Sequence, residues 1–201
     1  MADPMPAGKG WRAFVFKNRG ALLVPVALVL AVFGKPSAHS AGIGIGIAAL
    51  GEALRVWAVG FSGTTTRADI VTAPALVTAG PYAAMRNPLY LANAIIALGF
   101  WAAFSGELDS LERTVLLIVV LGLVVAVYGA IIPLEEDFLA KVFGGKFARY
   151  CEKVPRFLPT GRVMPVSERR GAWHVAVILK AEIITLAFFA VMSAIALWRA
   201  T

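Results

Sequence analysis

Long apolar runs separated by short polar stretches dominate this chain. Five runs meet or approach the about 20 residues that a helix needs to cross a bilayer: roughly 14–33, 41–61, 88–104, 114–132 and 173–198. The pattern predicts an all-α fold, an integral membrane bundle of about five transmembrane helices forming a single domain over residues 1–201. A further apolar stripe, Leu134, Phe138, Val142 and Phe143, predicts an interfacial helix segment on the cytoplasmic side, ended by the Gly144-Gly145 pair.

Composition closes off other classes. The 201 residues are 59% hydrophobic and only 15% charged, with a mean hydropathy of +0.78, far from a water-soluble domain at roughly 45–50% apolar and 25% charged. Disorder needs low hydrophobicity, and a disulfide scaffold needs more than the lone Cys151. The net charge of +7 belongs to the membrane rather than to nucleic acid. Counting Lys17 and Arg19 at the start of the first run with the N-terminal flank, Lys and Arg residues number fourteen in alternate connections against three in the others. By the positive-inside rule the N-terminus is cytoplasmic and the C-terminus lies on the opposite side, where the acidic 107–112 turn also falls. The basic residues then meet anionic membrane lipid.

Two features of the first half are read conservatively. A basic start and an apolar run precede Ala38-His39-Ser40, which has the form of a signal-peptide cleavage site, but the charge count works with the first segment kept as a helix. Gly42, Gly44, Gly46 and Gly51 lack the strand–turn–helix context of a nucleotide loop. Small residues four apart, such as Gly42 and Gly46, fit close helix packing in the bilayer instead.

Two connections on the cytoplasmic face carry more chemistry than a simple join requires. The first contains Gly80-Pro81-Tyr82 and Arg86-Asn87-Pro88-Leu89-Tyr90, with Asn93 following. Pro88 suits the first turn of a helix, where its missing N–H has no partner to lose, so Arg86 and Asn87 stand at that helix mouth, with Tyr90 and Asn93 about one turn apart on one face. The second contains Glu135-Glu136-Asp137, Phe143-Gly144, Tyr150 and Val154-Pro155-Arg156-Phe157. Aromatic faces stack on a base or attract a sulfonium, carboxylates accept hydrogen bonds from a ribose diol, and an arginine fork holds a carboxylate. Such a set suits a cationic, nucleoside-bearing cofactor.

Together these two blocks resemble the isoprenylcysteine carboxyl methyltransferase and phospholipid methyltransferase superfamily, over about residues 67–159. The resemblance implies an enzyme using S-adenosyl-L-methionine, held between the membrane helices and the C-terminal cytoplasmic segment. It assigns cofactor contacts to Tyr82, Arg86, Asn87, Pro88, Tyr90, Asn93, Glu135, Glu136 and Tyr150, and catalytic positions to Glu135, Glu136 and Arg156. Three positions depart from the family's usual residues: Asn87 stands in place of a histidine, Ala92 in place of a glycine, and Phe147 in place of a tyrosine.

Four charges fall inside predicted helices, where ionisable groups face the protein interior or a watery cavity. At 1.5 Å rise per residue, Arg55 and Lys180 lie about 10 Å from the cytoplasmic boundary, and Glu52 and Glu182 about 13–14 Å. Matched depths allow crossed pairs, Glu52 with Lys180 or Arg55 with Glu182, lining a substrate pocket. The expected reaction is in-line displacement at the sulfonium methyl, driven largely by positioning. The acceptor is lipophilic or small: a prenylated cysteine carboxylate, a phospholipid amine, or a thiol. Arg156, Arg55 or Lys180 suits an anionic acceptor; an amine needs a base, for which Glu135 or Glu136 is placed.

Two other functions compete. A membrane reductase using NADPH needs arginines for the 2′-phosphate, and Arg149 with Arg156 offers only a pair. A transport or sensing subunit uses the intramembrane charges and needs no nucleoside cofactor. His39 and His174 are too scattered to make a metal site.

Overall fold

A computed structural model describes residues 24–62 and 75–201. The N-terminal residues through 23, which carry the start of the first apolar run and its flanking charges, and the 63–74 stretch lie outside the described residues. The described elements are all helical: α1 (Val24–Phe33), α2 (Ala38–Ser62), a 3₁₀ turn at Gly80–Ala83, α3 (Pro88–Phe104), α4 (Ser110–Phe143), α5 (Gly145–Lys153), a 3₁₀ turn at Val166–Glu168, α6 (Val175–Ala181) and α7 (Ile183–Arg199). Helices α2 and α4 are long and apolar enough to cross a membrane, and α1, α3 and α7 are shorter apolar helices. Leu28, Leu50, Ile118, Val125, Ile184 and Val191 stand exposed on the outside of this bundle, a surface that lipid satisfies and water does not.

The most extensive pairing is α2 against α3, and small residues make it possible. A Cβ on Gly44 would sit 2.2 Å from the Ala103 backbone nitrogen, and one on Gly51 would sit 2.9 Å from the Ala92 carbonyl oxygen. Ala48 completes the stripe, since it packs directly on Gly99. The expectation for Gly42 and Gly46 is therefore corrected: both are exposed, with open space where a side chain would begin. Residues 44, 48 and 51 recur every three to four positions and share the face turned to α3, whereas 42 and 46 lie on the other side of the helix. Ala92 is compatible with this approach, which Gly51 permits from the α2 side.

Two predicted boundaries also change. The Leu134–Phe143 stripe is not a separate interfacial helix; α4 runs unbroken for 34 residues with Pro133 inside it, about 51 Å at 1.5 Å per residue against about 30 Å of hydrocarbon. It ends where Gly144 takes φ 51°, a conformation open to glycine. The last apolar run is two helices, α6 and α7, broken at Glu182.

Loop ends sort cleanly. At one end, α1 and α3 stop while α2 and α4 begin: Lys35 N–H donates to the Phe104 carbonyl (2.8 Å) and Lys35 pairs with Glu112 (3.1 Å). Ser37 and Ser40 exchange backbone-to-hydroxyl hydrogen bonds at the start of α2, satisfying donors that a helix N-terminus leaves open. The opposite end gathers the end of α2, the 75–87 connection, the C-terminal part of α4, α5 and the 154–174 segment. Both motif blocks lie at that end.

Candidate functional site

Backbone and side-chain hydrogen bonds stitch the two blocks into one body. The Arg86 N–H donates to the Pro155 carbonyl (2.9 Å), and the Met164 N–H donates to the Ala83 carbonyl (2.8 Å). The Asn87 amide donates to the Arg156 carbonyl (3.1 Å), and the Tyr150 hydroxyl donates to the Tyr82 carbonyl (2.7 Å). Further along, Thr78 accepts the Arg170 N–H (2.8 Å) and donates its own hydroxyl to the Glu168 carbonyl (3.0 Å). Beneath them Ala83, Phe147, Tyr150, Val154 and Met164 form a small apolar core. Phe147 is buried there, so the tyrosine hydroxyl usual in the family would need a buried partner at this position.

Local sequence explains the shape of the first block. Gly80 takes φ +59°, and any Cβ would strike the Phe61 ring at 2.2 Å; Pro81 then enters the 3₁₀ turn. Pro88 opens α3 as expected, with Asn87 before it. Asn87 makes no cap with its side-chain oxygen; its Nδ2 donates to the Arg156 carbonyl.

The charged centre is Glu136. It accepts from Arg86 Nη2 at 3.3 Å, with both side chains 14% exposed, and from the Arg156 guanidinium through two nitrogens. Its hydrogen bond holds the Arg156 guanidinium above its ordinary pKa. The Arg86 Nε is buried and has no partner. Cys151 hydrogen-bonds Arg86; burial pushes the thiol up, while the nearby guanidinium opposes this. The Tyr82 and Tyr150 phenols are both pushed up, chiefly by burial. Tyr82 is hydrogen-bonded to the Ser62 hydroxyl at the end of α2 and feels the charges of Glu135 and Arg55.

Tyr90 and Asn93 diverge rather than sharing one surface. Tyr90 packs on Tyr128 of α4 with ring centroids 4.7 Å apart, while Asn93 accepts from Arg55 Nη1 of α2 at 2.7 Å. Positions three apart differ by about 60° around a helix, enough to straddle the two neighbours. Of the crossed pairs, Arg55 with Glu182 forms, at 2.7 Å from Nε to Oε2 and 3.1 Å from Nη2 to Oε1. Glu52 with Lys180 does not: Lys180 is exposed, and both Glu52 carboxylate oxygens are buried without a hydrogen-bond partner. Lys180 thus stays outside the cluster that Glu52, Arg55, Asn93 and Glu182 make. Sequence reading missed Tyr128 and the strap residues Thr78 and Met164. Tyr128 looks like one more apolar position of a long helix, and Thr78 and Met164 act largely by bonding to backbone groups of distant segments.

The residue set fits a cofactor with an anionic group and a nucleoside. Arg86 Nε is a spare buried donor, Tyr82 offers a half-buried aromatic ring, and Glu135 stands next to it. Comparison with known proteins settles the family. The phospholipid methyltransferase family profile matches residues 40–146, over half of the chain. The chain belongs to the phospholipid methyltransferase family. That family sits within the isoprenylcysteine carboxyl methyltransferase-like membrane superfamily, as the two motif blocks imply. The matched stretch takes in Glu52 and Arg55 as well as Arg86 through Glu136, and ends at the start of α5, before Arg156. This family member is also similar to the cobalt-zinc-cadmium resistance protein CzcN of Cupriavidus metallidurans. The two are 39% identical over 84 residues, covering 42% of this chain and 35% of that protein, so the chain spans about a third of the relative's length. No solved structure matches.

Proposed function

We propose that the protein is an integral membrane methyltransferase that takes its methyl group from S-adenosyl-L-methionine and delivers it to a lipophilic or small acceptor. The observation that carries this reading is the junction of Arg86, Glu136 and Arg156, in which two distant segments of a family-matched chain meet on one carboxylate and leave the buried Arg86 Nε unspent. When bound, the cofactor supplies an electrophilic sulfonium methyl. The chain's own residues do the rest. Arg86 offers its spare donor to the cofactor's carboxylate, Tyr82 supplies a face for its base or sulfonium, and Glu135 accepts from its ribose. Glu136 holds Arg86 and Arg156 in place, and Asn87 fixes the Arg156 backbone. Pro88, Tyr90 and Tyr150 shape the walls by packing.

The site end is read as cytoplasmic, with the N-terminus on that side and the C-terminus across the membrane, from the fourteen-to-three bias of basic residues. The acceptor reaches the helices from the lipid, which the exposed apolar surface of α2 and α4 supports.

Calorimetric titration of the purified protein with S-adenosylhomocysteine, with NADPH as comparator, tests the reading. Micromolar binding of S-adenosylhomocysteine alone supports it. Binding of NADPH alone, or of neither by folded protein, overturns it.

A further inference from the structure

The segment 154–174 joins α5 to α6 with a single 3₁₀ turn as its regular structure, and its ties fix the depth at which it runs. At its start the Arg86 N–H holds the Pro155 carbonyl and the Asn87 amide holds the Arg156 carbonyl, both from residues just before α3. At its end the His174 N–H donates to the Gly60 carbonyl (2.9 Å). There the Trp173 ring lies so close that a Cβ on Gly60 would strike its indole nitrogen, and Gly60 belongs to the last turn of α2. In between, Met164 bonds to Ala83, and Thr78 bonds to Glu168 and Arg170. The segment is thus fastened where the apolar helices α2 and α3 reach the site end, at the depth of the lipid headgroups.

What it turns outward has two parts. Phe157, Leu158, Val163, Val166 and Trp173 are all exposed, Val166 to 76%. A connection surrounded by water has no reason to show so many large apolar side chains in so short a stretch. Cations stand among them. Arg162, Arg169 and Arg170 are exposed, and among the described residues none of the three pairs with a carboxylate. Glu168 pairs with Lys153 and feels Arg149 and Arg170 as well, so one carboxylate faces three cations. Apolar side chains interleaved with basic ones at headgroup depth are what an interfacial anchor needs: the apolar groups seat at the acyl boundary and the cations meet anionic headgroups.

The same segment carries Arg156, which closes on Glu136 beside Arg86. Phe157 and Leu158 follow it directly, so whatever seats those two side chains also restrains the backbone of Arg156.

We infer that segment 154–174 docks on the anionic phospholipid of the leaflet beside it, and that this docking and cofactor binding strengthen each other. The docking stands on the surface alone; the coupling rests on the methyltransferase reading. Linkage makes the coupling reciprocal.

The test places the full native chain in nanodiscs of phosphatidylcholine alone and in nanodiscs of phosphatidylcholine mixed with phosphatidylglycerol. Amide hydrogen exchange over residues 157–173, read by mass spectrometry, should be slower in the mixed bilayer. S-adenosylhomocysteine, titrated by calorimetry, should bind about tenfold tighter there. Arg162→Gln with Arg170→Gln, and separately Leu158→Ser with Val166→Ser, should lose both differences while keeping the native affinity in phosphatidylcholine alone. Equal exchange in the two bilayers, or a lipid preference that survives in both double variants, overturns the docking. Slower exchange with unchanged affinity overturns the coupling. If inorganic phosphate in phosphatidylcholine nanodiscs reproduces both effects, the leaflet is not the partner and the proposal fails in favour of a free anion. Failure of the methyltransferase reading shows separately, as native protein that binds no S-adenosylhomocysteine in either bilayer while its exchange still slows in the mixed one.

Discussion

Arg55 on α2 holds Glu182 at the α6–α7 break by two hydrogen bonds, 2.7 Å and 3.1 Å long, and Glu182 is completely buried. This pair ties the last two helices to the α2–α3 unit at the point where the last apolar run divides into α6 and α7. Removing one partner leaves an uncompensated buried charge, which costs about 3–5 kcal/mol. Arg55→Met alone should therefore lower thermal stability sharply. Arg55→Met combined with Glu182→Leu should recover most of the loss, since replacing both partners by apolar groups is often neutral. Thermal unfolding in detergent checks the pair of variants, and equal losses in the single and double variants would exclude a charge-pair origin.

Gly44 and Gly46 differ by two residues and should differ oppositely in tolerance. A Cβ at Gly44 meets backbone of α3 at 2.2 Å, while at Gly46 it meets nothing. Gly44→Ala should cost about 1–3 kcal/mol through overpacking. Gly46→Ala should be neutral or gain up to about 1 kcal/mol from the helix's lower entropy cost. Melting temperatures of the two variants decide.

The Tyr150 hydroxyl bond to the Tyr82 carbonyl fastens α5 to the first block. Tyr150→Phe removes it, at about 1 kcal/mol. Burial raises both phenols, so in the unfolded chain, at an ordinary pKa of about 10, they lose their protons first. Stability contributed by the neutral phenols is thus fully present below about pH 10 and falls as pH rises further. Unfolding measured between neutral and strongly alkaline pH should show that decline, and Tyr150→Phe should show a shallower one.

Asn87 offers a more local test. Its amide donates to the Arg156 carbonyl, so Asn87→Ala removes one of the ties on the segment carrying Arg156, leaving the Arg86 N–H bond to the Pro155 carbonyl and the Glu136 pair in place. The loss of one hydrogen bond costs about 1–1.5 kcal/mol of folding stability, and the loosened Arg156 should also weaken S-adenosylhomocysteine binding, by at most about tenfold if the whole of that energy is felt at the site. Titration of that variant should show weaker binding, and thermal unfolding a melting temperature lower by a few degrees.

Much of this was legible in the residues themselves. Pro88 marked the start of α3 to the residue, because a proline in the first helical turn has a physical reason to be there. The Arg86 and Glu136 blocks meet as their shared side of the membrane implied. Less visible were relations that depend on rotation about a helix axis. Gly42 and Gly46 share a spacing with true packing residues but point the other way, and Tyr90 and Asn93 straddle two neighbours. Which of the crossed pairs would form, Glu52 with Lys180 or Arg55 with Glu182, depended on the break at Glu182, where no Pro or Gly interrupts the run. Continuity of α4 through Pro133 was equally hidden, since a proline there reads as a boundary.

The central claim is that two segments far apart in the chain form one cofactor site around Glu136. A double-mutant cycle on S-adenosylhomocysteine affinity tests it most directly, using calorimetry on the native protein, Arg86→Ala, Glu136→Gln and the combined variant, each shown to be folded. The expected result is micromolar binding by the native protein, a loss of about tenfold or more in each single variant, and a combined loss well short of the sum of the two free energies, as for groups acting through one another. Native protein that does not bind, or two losses that add in full, would contradict a shared site.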